Sequence, residues 1–200
     1  MNTRSSAYTM HAFLLIVAAT TRSSAGVAEF TDFGQWQNAV TSFTGIDFTG
    51  IPGGTHLTDE YADLGVTFAF DFNLQVVCCD FGNFVDGAGV EALGPPNGNW
   101  IQLTFSAPQH AIAVDFLGIV QFELYQGGSL IFTNAGFGGG GSFFGGLFSS
   151  EAFDAAVILD PTGGFGTVVI DNLYFGVPAP GALGLFALAG LGSLGRRRRG

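Results

Sequence analysis

The segment Trp100-Ile-Gln-Leu-Thr-Phe105 alternates apolar and polar side chains from its second residue onward, and it follows the turn-forming cluster Gly94-Pro-Pro-Asn-Gly98. Successive side chains of a strand point to opposite faces, so this alternation predicts a strand with one face in a core. Similar short runs lie between glycine-rich turns at 65–70, 74–77, 111–116, 121–125, 130–133, 155–159 and 167–175. This spacing predicts an all-β fold, an antiparallel β-sandwich of jelly-roll-like topology.

One helix is expected before these strands, within residues 29–43. Asp32 can cap its first turn, and four apolar side chains recur at helical spacing on one face: Phe33, Trp36, Val40 and Phe43. The pattern predicts a short amphipathic helix whose aromatic face packs against the sheet. A carbohydrate-stacking role for Trp36 is the alternative to core packing.

Residues 1–28 have the features of a secretory signal peptide. Arg4 lies in a polar start, residues 12–19 form a short apolar core, and small residues follow. Cleavage after Ala25 and cleavage after Ala28 both fit this pattern. The predicted β-sandwich domain then covers residues 29–176.

The C-terminal segment 177–200 has three parts. The motif Val177-Pro178-Ala179-Pro180 comes first, an uncharged apolar stretch at 181–195 follows, and the chain then carries Arg196, Arg197, Arg198 and Arg199. Fifteen helical residues span about 22 Å, less than the roughly 30 Å of a hydrocarbon core. The arginine run is nevertheless typical of a stop signal that keeps this end on the cytoplasmic side of a membrane.

The order of these parts resembles the PEP-CTERM sorting signal of Gram-negative bacteria, although the usual glutamate of the motif is Ala179 here. The resemblance implies export, a membrane helix as a temporary anchor, and processing near the proline motif by an exosortase. An ordinary C-terminal anchor that is never removed is the alternative.

The domain itself is similar to bodies that often precede such signals, and more loosely to concanavalin-like and carbohydrate-binding jelly rolls. The stretches that carry this similarity are Gly45-Ile-Asp-Phe48, Leu57-Thr-Asp-Glu-Tyr61-Ala-Asp-Leu-Gly65-Val-Thr-Phe68 and Val169-Ile-Asp-Asn-Leu-Tyr-Phe175. The similarity implies a fold and does not define a function.

Charge is distributed very unevenly along the chain. All sixteen acidic residues lie between Glu29 and Asp171, where there is no lysine or arginine, so this part carries a formal charge of −16. Such a surface repels phosphate, which excludes nucleic acid as a partner and disfavours anionic membranes. The carboxylates must pair with water, backbone N–H groups, histidines or metal cations.

Asp47 and Asp171 lie in the first and last predicted strands, which are commonly neighbours in jelly rolls. Together with carbonyl groups of the Pro52-Gly-Gly54 turn they could form a calcium site. Two solvated or backbone-bonded aspartates are the simpler interpretation. The acidic group Asp59, Glu60 and Asp63 is expected to be a water-exposed loop, with a second cation site as the alternative.

Cys78 and Cys79 are adjacent and are the only cysteines. Export favours oxidation, and a vicinal disulfide, intermolecular pairing and reduced thiols all remain open. The tract 135–147 is glycine-rich and of low complexity, which indicates a mobile loop or a self-association patch.

No nucleophile–base motif is present, so no enzymatic activity is expected. The sequence favours an exported surface or extracellular-matrix protein with a structural or adhesive role, whose partners are an exosortase, the membrane before processing, and extracellular polysaccharide. The alternative is a calcium-dependent carbohydrate-binding module with stacking candidates at Trp100, Tyr125 and Tyr61.

Overall fold

The computed structural model describes residues 26–70, 74–78, 88–92, 100–162 and 168–178, with side chains described for 26–69, 100–138, 144–162 and 168–177. These residues form nine strands, one α-helix and one 3-10 turn at Ala62–Leu64. In chain order the elements are β1 (Val27–Phe30), α1 (Phe33–Ala39), β2 (Val40–Ile46), β3 (Val66–Phe70), β4 (Leu74–Cys78), β5 (Ala88–Ala92), β6 (Trp100–Gln126), β7 (Ser129–Thr133), β8 (Phe137–Leu159) and β9 (Val168–Pro178).

All strand pairs among these residues are antiparallel, which confirms the predicted all-β class. The strands β6 and β8 are long and bend from one layer of the fold into the other. The bends coincide with irregular register near Gln109 and between Leu117 and Gln121. Local irregularities of this kind increase strand bending and twist, which lets one strand serve both layers.

The first layer is formed by the ends of the two long strands. Residues 155–159 of β8 lie between residues 100–104 and 121–125 of β6, and β3 and β7 pair with the outer edges. The second layer has the order β1–β8–β6–β9. Beyond β6, β9 pairs with β2 through residues 173–178 and with β5 through residues 168–170, and β5 pairs in turn with β4.

The main core lies between these layers. It combines side chains of the first layer, such as Leu103, Phe122 and Ile158, with side chains of the second layer, such as Val114 and Leu173. All five are fully buried. Alternate residues of each strand therefore meet in one apolar interior, which is the arrangement of a β-sandwich.

The helix is shorter than predicted. Residues 29–30 belong to β1 and residues 40–43 belong to β2, so only Phe33–Ala39 is helical. Asp32 is the N-cap as predicted, because its carboxylate accepts a hydrogen bond of 2.9 Å from the Gln35 N–H. The prediction was too long because Val40 and Phe43 continue the apolar pattern of the helix inside a strand.

The glycine-rich tract 135–147 was wrongly interpreted as a loop. From Phe137 onward it is the first part of β8, paired with β6 through residues 112–120. Gly145 and Gly146 leave room for aromatic rings, since a Cβ on either residue would come within 3.0 Å of the ring of Phe137 or Trp36. The glycines therefore serve close packing inside a sheet.

The two ends of the described domain lie at the same end of the second layer. Ala28, Phe148, Ala111 and Gly176 form one row across β1, β8, β6 and β9. The first and last strands of this row run in opposite directions, so the chain enters at Gly26 and leaves at Pro178 on the same side. Three strand spacings separate these two strands by about 14 Å.

Candidate functional site

An aromatic cluster covers the outer face of the second layer. Trp36 from α1 lies at its centre and is fully buried, and its indole N–H donates a 3.1 Å hydrogen bond to the carbonyl of Leu147. Core packing of Trp36, the favoured sequence interpretation, is therefore confirmed. Four half-buried rings surround the helix at this position: Phe33, Phe43, Phe144 and Tyr174.

Phe33 and Tyr174 make a close ring contact, with centroids 4.9 Å apart and planes tilted by 43°. Phe33 also meets Phe144 edge-on, with a centroid separation of 5.7 Å. Each such pair contributes about 0.5–1.5 kcal/mol beyond burial. Because these rings are only partly buried, the cluster presents aromatic surface next to the start of α1.

A polar network borders this aromatic surface. Oδ2 of Asp115 accepts a hydrogen bond of 3.0 Å from the Asn172 amide and one of 3.3 Å from the Tyr174 hydroxyl. Asp115 stands opposite Phe144 in the neighbouring strand β8. The network thus lies within one strand spacing of the aromatic cluster.

A β-bulge places these polar groups together. The pairing of β6 with β9 goes from Val114–Leu173 to Phe116–Ile170, so Asp171 and Asn172 together oppose the single residue Asp115. The extra residue changes the direction in which bulge side chains project, a feature often found beside binding sites. Both bulge residues are buried, whereas Asp115 and Tyr174 are half-exposed.

The chemistry of this surface suits a neutral ligand rich in hydroxyl groups. An aromatic ring can stack against the apolar face of a sugar, and a carboxylate and a phenol can exchange hydrogen bonds with its hydroxyls. The surrounding domain is strongly acidic and disfavours an anionic ligand.

A second surface feature is an open groove of about 220 Å³ at the end of the fold where the chain leaves. It lies between the ends of β2 and β9 on one side and β6 with the 3-10 turn on the other. Two exposed apolar side chains, Leu64 and Val177, line it together with Ser42, Thr44, Ser106 and Gln109. None of its lining residues is charged.

The two predicted calcium ligands have contrasting environments. The register of β2 and β9 pairs Ile46 with Leu173. The two strands are therefore neighbours close to Asp47 and Asp171, as predicted. Asp47 is exposed and accepts hydrogen bonds from the Thr49 N–H and hydroxyl, which lower the pKa of its carboxyl group. Asp171 is fully buried.

A metal site at this position stays a prediction. Within the described residues, no group of three or more histidine, cysteine, aspartate or glutamate side chains is placed to hold a metal ion. The acidic group Asp59, Glu60 and Asp63 is exposed, as the simpler interpretation expected. The carboxylate of Glu60 accepts a 2.6 Å hydrogen bond from the Thr58 N–H.

The predicted stacking residues lie apart from the aromatic cluster. Tyr61 packs edge-on against Phe48, with centroids 5.8 Å apart, and borders the main core. Tyr125 donates a 2.5 Å hydrogen bond to Glu123, which raises the pKa of its phenol. Trp100 is half-buried at the start of β6. A ligand contact by any of them stays a prediction.

Several predicted features lie outside the described residues. They are Cys79, the side chain of Cys78, most of the signal peptide, and the chain from Ala179 through Arg199. Among the described residues no helix is long and apolar enough to cross a bilayer. Of the sorting motif, Val177 and Pro178 are described, and both belong to β9.

Sequence reasoning missed Asp115, Asn172, Phe144 and Tyr174 as site residues. Tyr174 and Asn172 stood within a quoted strand, but their meeting with Asp115 depends on a bulge between two strands distant in sequence. The one available signal was Asp115 itself, a charged residue inside the apolar strand run 111–116.

Comparisons with known proteins found similarity to solved structures at low sequence identity. No protein family and no curated protein matches this sequence. A solved structure of a mutant of the carbohydrate-binding module CBM29-2 with mannohexaose is similar at 14% identity and a TM-score of 0.42, covering 68% of this chain and 93% of that chain. Another structure of a family 29 carbohydrate-binding module gives 14% identity and a TM-score of 0.36, covering 68% and 90%. This likeness does not assign the chain to that family.

Proposed function

We propose that this chain is an exported bacterial protein whose β-sandwich has a structural or adhesive role at the cell surface or in the extracellular matrix. An N-terminal signal peptide directs its export, and an exosortase processes its C-terminal signal. Both segments adjoin the domain that carries sixteen acidic residues and no lysine or arginine. Such a charge favours solubility outside the cell and provides no attraction to anionic membranes.

The observation that carries this proposal is the position of the two chain ends. Gly26 and Pro178 lie on the same side of the second layer, about 14 Å apart by strand spacing. A domain with both ends at one side can be tethered through either end while its opposite side faces away from the membrane. Because β9 pairs with β2 as far as Pro178, processing that preserves the sheet must cut beyond this residue.

The experiment replaces both motif prolines with alanine in a host that has an exosortase. The double variant Pro178→Ala/Pro180→Ala should accumulate as an uncut form in the membrane fraction. Pro108→Ala is the matched control, because Pro108 is exposed in β6 and far from the motif in sequence. Processing of the double variant at the rate of the control would reject the sorting function.

A second function, glycan binding, is favoured by the aromatic cluster and its polar border. In this proposal Phe33 and Tyr174 provide the stacking surface, and Asp115 accepts hydrogen bonds from sugar hydroxyl groups. The half-exposed state of these three side chains supports access from solvent. The preferred ligands are neutral polysaccharides, because the acidic domain repels uronic acids.

Affinity electrophoresis tests this second function with galactomannan, xylan and mixed-linkage β-glucan, and with alginate as the acidic comparison. Asp115→Asn should weaken retardation by a neutral glycan about tenfold, because the amide keeps one acceptor oxygen but loses the charge that strengthens hydrogen bonds to sugar hydroxyls. Tyr125→Phe is the control, because it removes a phenol–carboxylate pair from the other layer. Equal retardation of both variants, or none of the wild type by any neutral glycan, rejects the site.

A further inference from the structure

The first residues of the described domain are part of its sheet. The Gly26 N–H donates a 3.0 Å hydrogen bond to the Ser150 hydroxyl, and the Ser150 N–H donates one of 3.0 Å to the Gly26 carbonyl. From the next residue onward β1 pairs with β8, beginning with Val27 opposite Ser149 and Ala28 opposite Phe148. The fold therefore uses the chain from Gly26.

Two cleavage points fit the signal peptide equally well by sequence. A cut after Ala25 has Ser23 three residues before the broken bond, and a cut after Ala28 has Gly26 at the same place. Signal peptidases require small side chains at these two positions, and both candidates have them.

The structure distinguishes the two points. A cut after Ala28 would remove both hydrogen bonds between Gly26 and Ser150 and two of the four residue pairs of β1. It would also uncover the edge of β8 at Phe148 and Ser149, which are fully buried. An uncovered edge exposes backbone donors and acceptors that can pair with other chains. A cut after Ala25 leaves all of these contacts intact.

Cleavage after folding would favour the same bond. Before folding, both bonds are accessible to a peptidase in the membrane. Once β1 has paired, the bond after Ala28 lies in the middle of a strand, whereas the bond before Gly26 lies at its start. Proteolysis needs an extended chain free of such pairing.

We propose that signal peptidase hydrolyses the Ala25–Gly26 bond, so that the mature chain begins at Gly26. Water supplies a hydroxyl to the Ala25 carbonyl carbon and a proton to the Gly26 nitrogen, and the new carboxyl leaves with the signal peptide. The inference rests on the proposed export. It adds that, of the two candidate cuts, only this one leaves the N-terminal edge of the sandwich complete.

The experiment determines the N-terminus of the full chain exported from a Gram-negative host, by terminal sequencing and mass spectrometry of the largest processed form. A chain that begins at Gly26 is expected. A chain that begins at Glu29 would overturn the inference and leave the export proposal standing. A chain that keeps residues 1–25 would overturn both.

Matched variants distinguish cleavage after Ala25 from cleavage after Ala28. A bulky residue directly before the cut blocks signal peptidase, so Ala25→Leu should accumulate the precursor or shift the start to Glu29. Ala28→Leu should still yield a chain that begins at Gly26, because residue 28 lies three positions beyond the cut. The reverse pattern of processing would contradict the assignment even if either variant folds less well, because processing is read from the N-terminus itself.

Discussion

The indole of Trp36 occupies the space in which a side chain at residue 146 would lie. A Cβ added to Gly146 would stand 2.6 Å from Cδ1 of Trp36 and 3.1 Å from the Cβ of Ala113. Helix α1 can therefore rest directly on the sheet only because β8 has a glycine at this point. The close approach also lets the Trp36 N–H reach the carbonyl of Leu147.

The first prediction follows from this contact. Gly146→Ala should lower the free energy of unfolding by about 1–3 kcal/mol, since overpacking forces the ring or the strand to shift. Chemical denaturation of the processed protein measures this change. Gly45→Ala is the control, because its Cβ would meet the Tyr174 ring at an ordinary 3.4 Å. An equal loss in both variants would show that the Trp36 contact has no special role.

The contact between Trp36 and Gly146 illustrates which features of the fold could be predicted from the sequence and which could not. Alternation located parts of β3, β4, β6, β7, β8 and β9, although it divided β6 into three strands and missed β1 and β5. Asp32 and Trp36 were assigned correctly, because each of these signals is local. The glycine tract was wrongly interpreted as a loop because the reason for its glycines is not local. Aromatic rings distant in sequence, including Trp36, occupy the space that side chains at Gly145 and Gly146 would need. In the same way, the bulge at Asp171 and Asn172 exists only in relation to Asp115 on another strand.

The second prediction concerns the network of Asp115. Asp115→Ala removes the acceptor of the Asn172 amide, and Asn172 is only 6% exposed. Because the amide would then be buried without this hydrogen bond, the free energy of unfolding should fall by about 1–3 kcal/mol. Tyr174→Phe removes the longer 3.3 Å bond while the Asn172 bond to Asp115 remains, and should cost about 0.5–1 kcal/mol. Urea denaturation of both variants compares the two. A larger loss for Tyr174→Phe would contradict this ranking of the hydrogen bonds.

The third prediction is an alkaline transition at Tyr61. Burial, followed by the charges of Asp47 and Glu60, raises the pKa of this phenol from 10.0 to about 12. The folded state thus holds the proton more tightly than the unfolded state. The stability that the folded state gains from this tighter binding of the proton is fully present below pH 10 and is lost as the pH rises towards 12.

Tyr61→Phe should remove that part of the alkaline loss of stability. It should change stability little at pH 7, because within the described residues the buried Tyr61 hydroxyl has no hydrogen-bond partner. Thermal melts between neutral pH and pH 12, with ultraviolet titration of the phenol, measure both effects. A clear destabilisation at neutral pH would reveal a hydrogen bond that this hydroxyl makes.

The fourth prediction concerns calcium. Asp47 is engaged by Thr49 at the surface and Asp171 is fully buried, so their environments favour no shared ion. We expect calcium and magnesium at equal concentration to raise the melting temperature by the same small amount, through screening of the acidic surface. A rise specific to calcium that Asp47→Asn abolishes would instead establish the site predicted from sequence.

The fifth prediction tests the importance of the strand that begins at Val27. A processed protein that starts at Glu29 lacks the Gly26–Ser150 hydrogen bonds and half of the β1 pairs, and should be less stable by about 1–3 kcal/mol than one that starts at Gly26. It should also associate more readily, because the edge of β8 is left open next to Phe148. Denaturation and light scattering measure the two effects.

Ser150→Ala in the longer protein is the control, since it removes the hydroxyl bond to Gly26 but keeps the strand. This variant should lose less stability than the truncated protein and should stay unassociated. Equal stability and association of the proteins that start at Gly26 and at Glu29 would show that β1 adds nothing before residue 29.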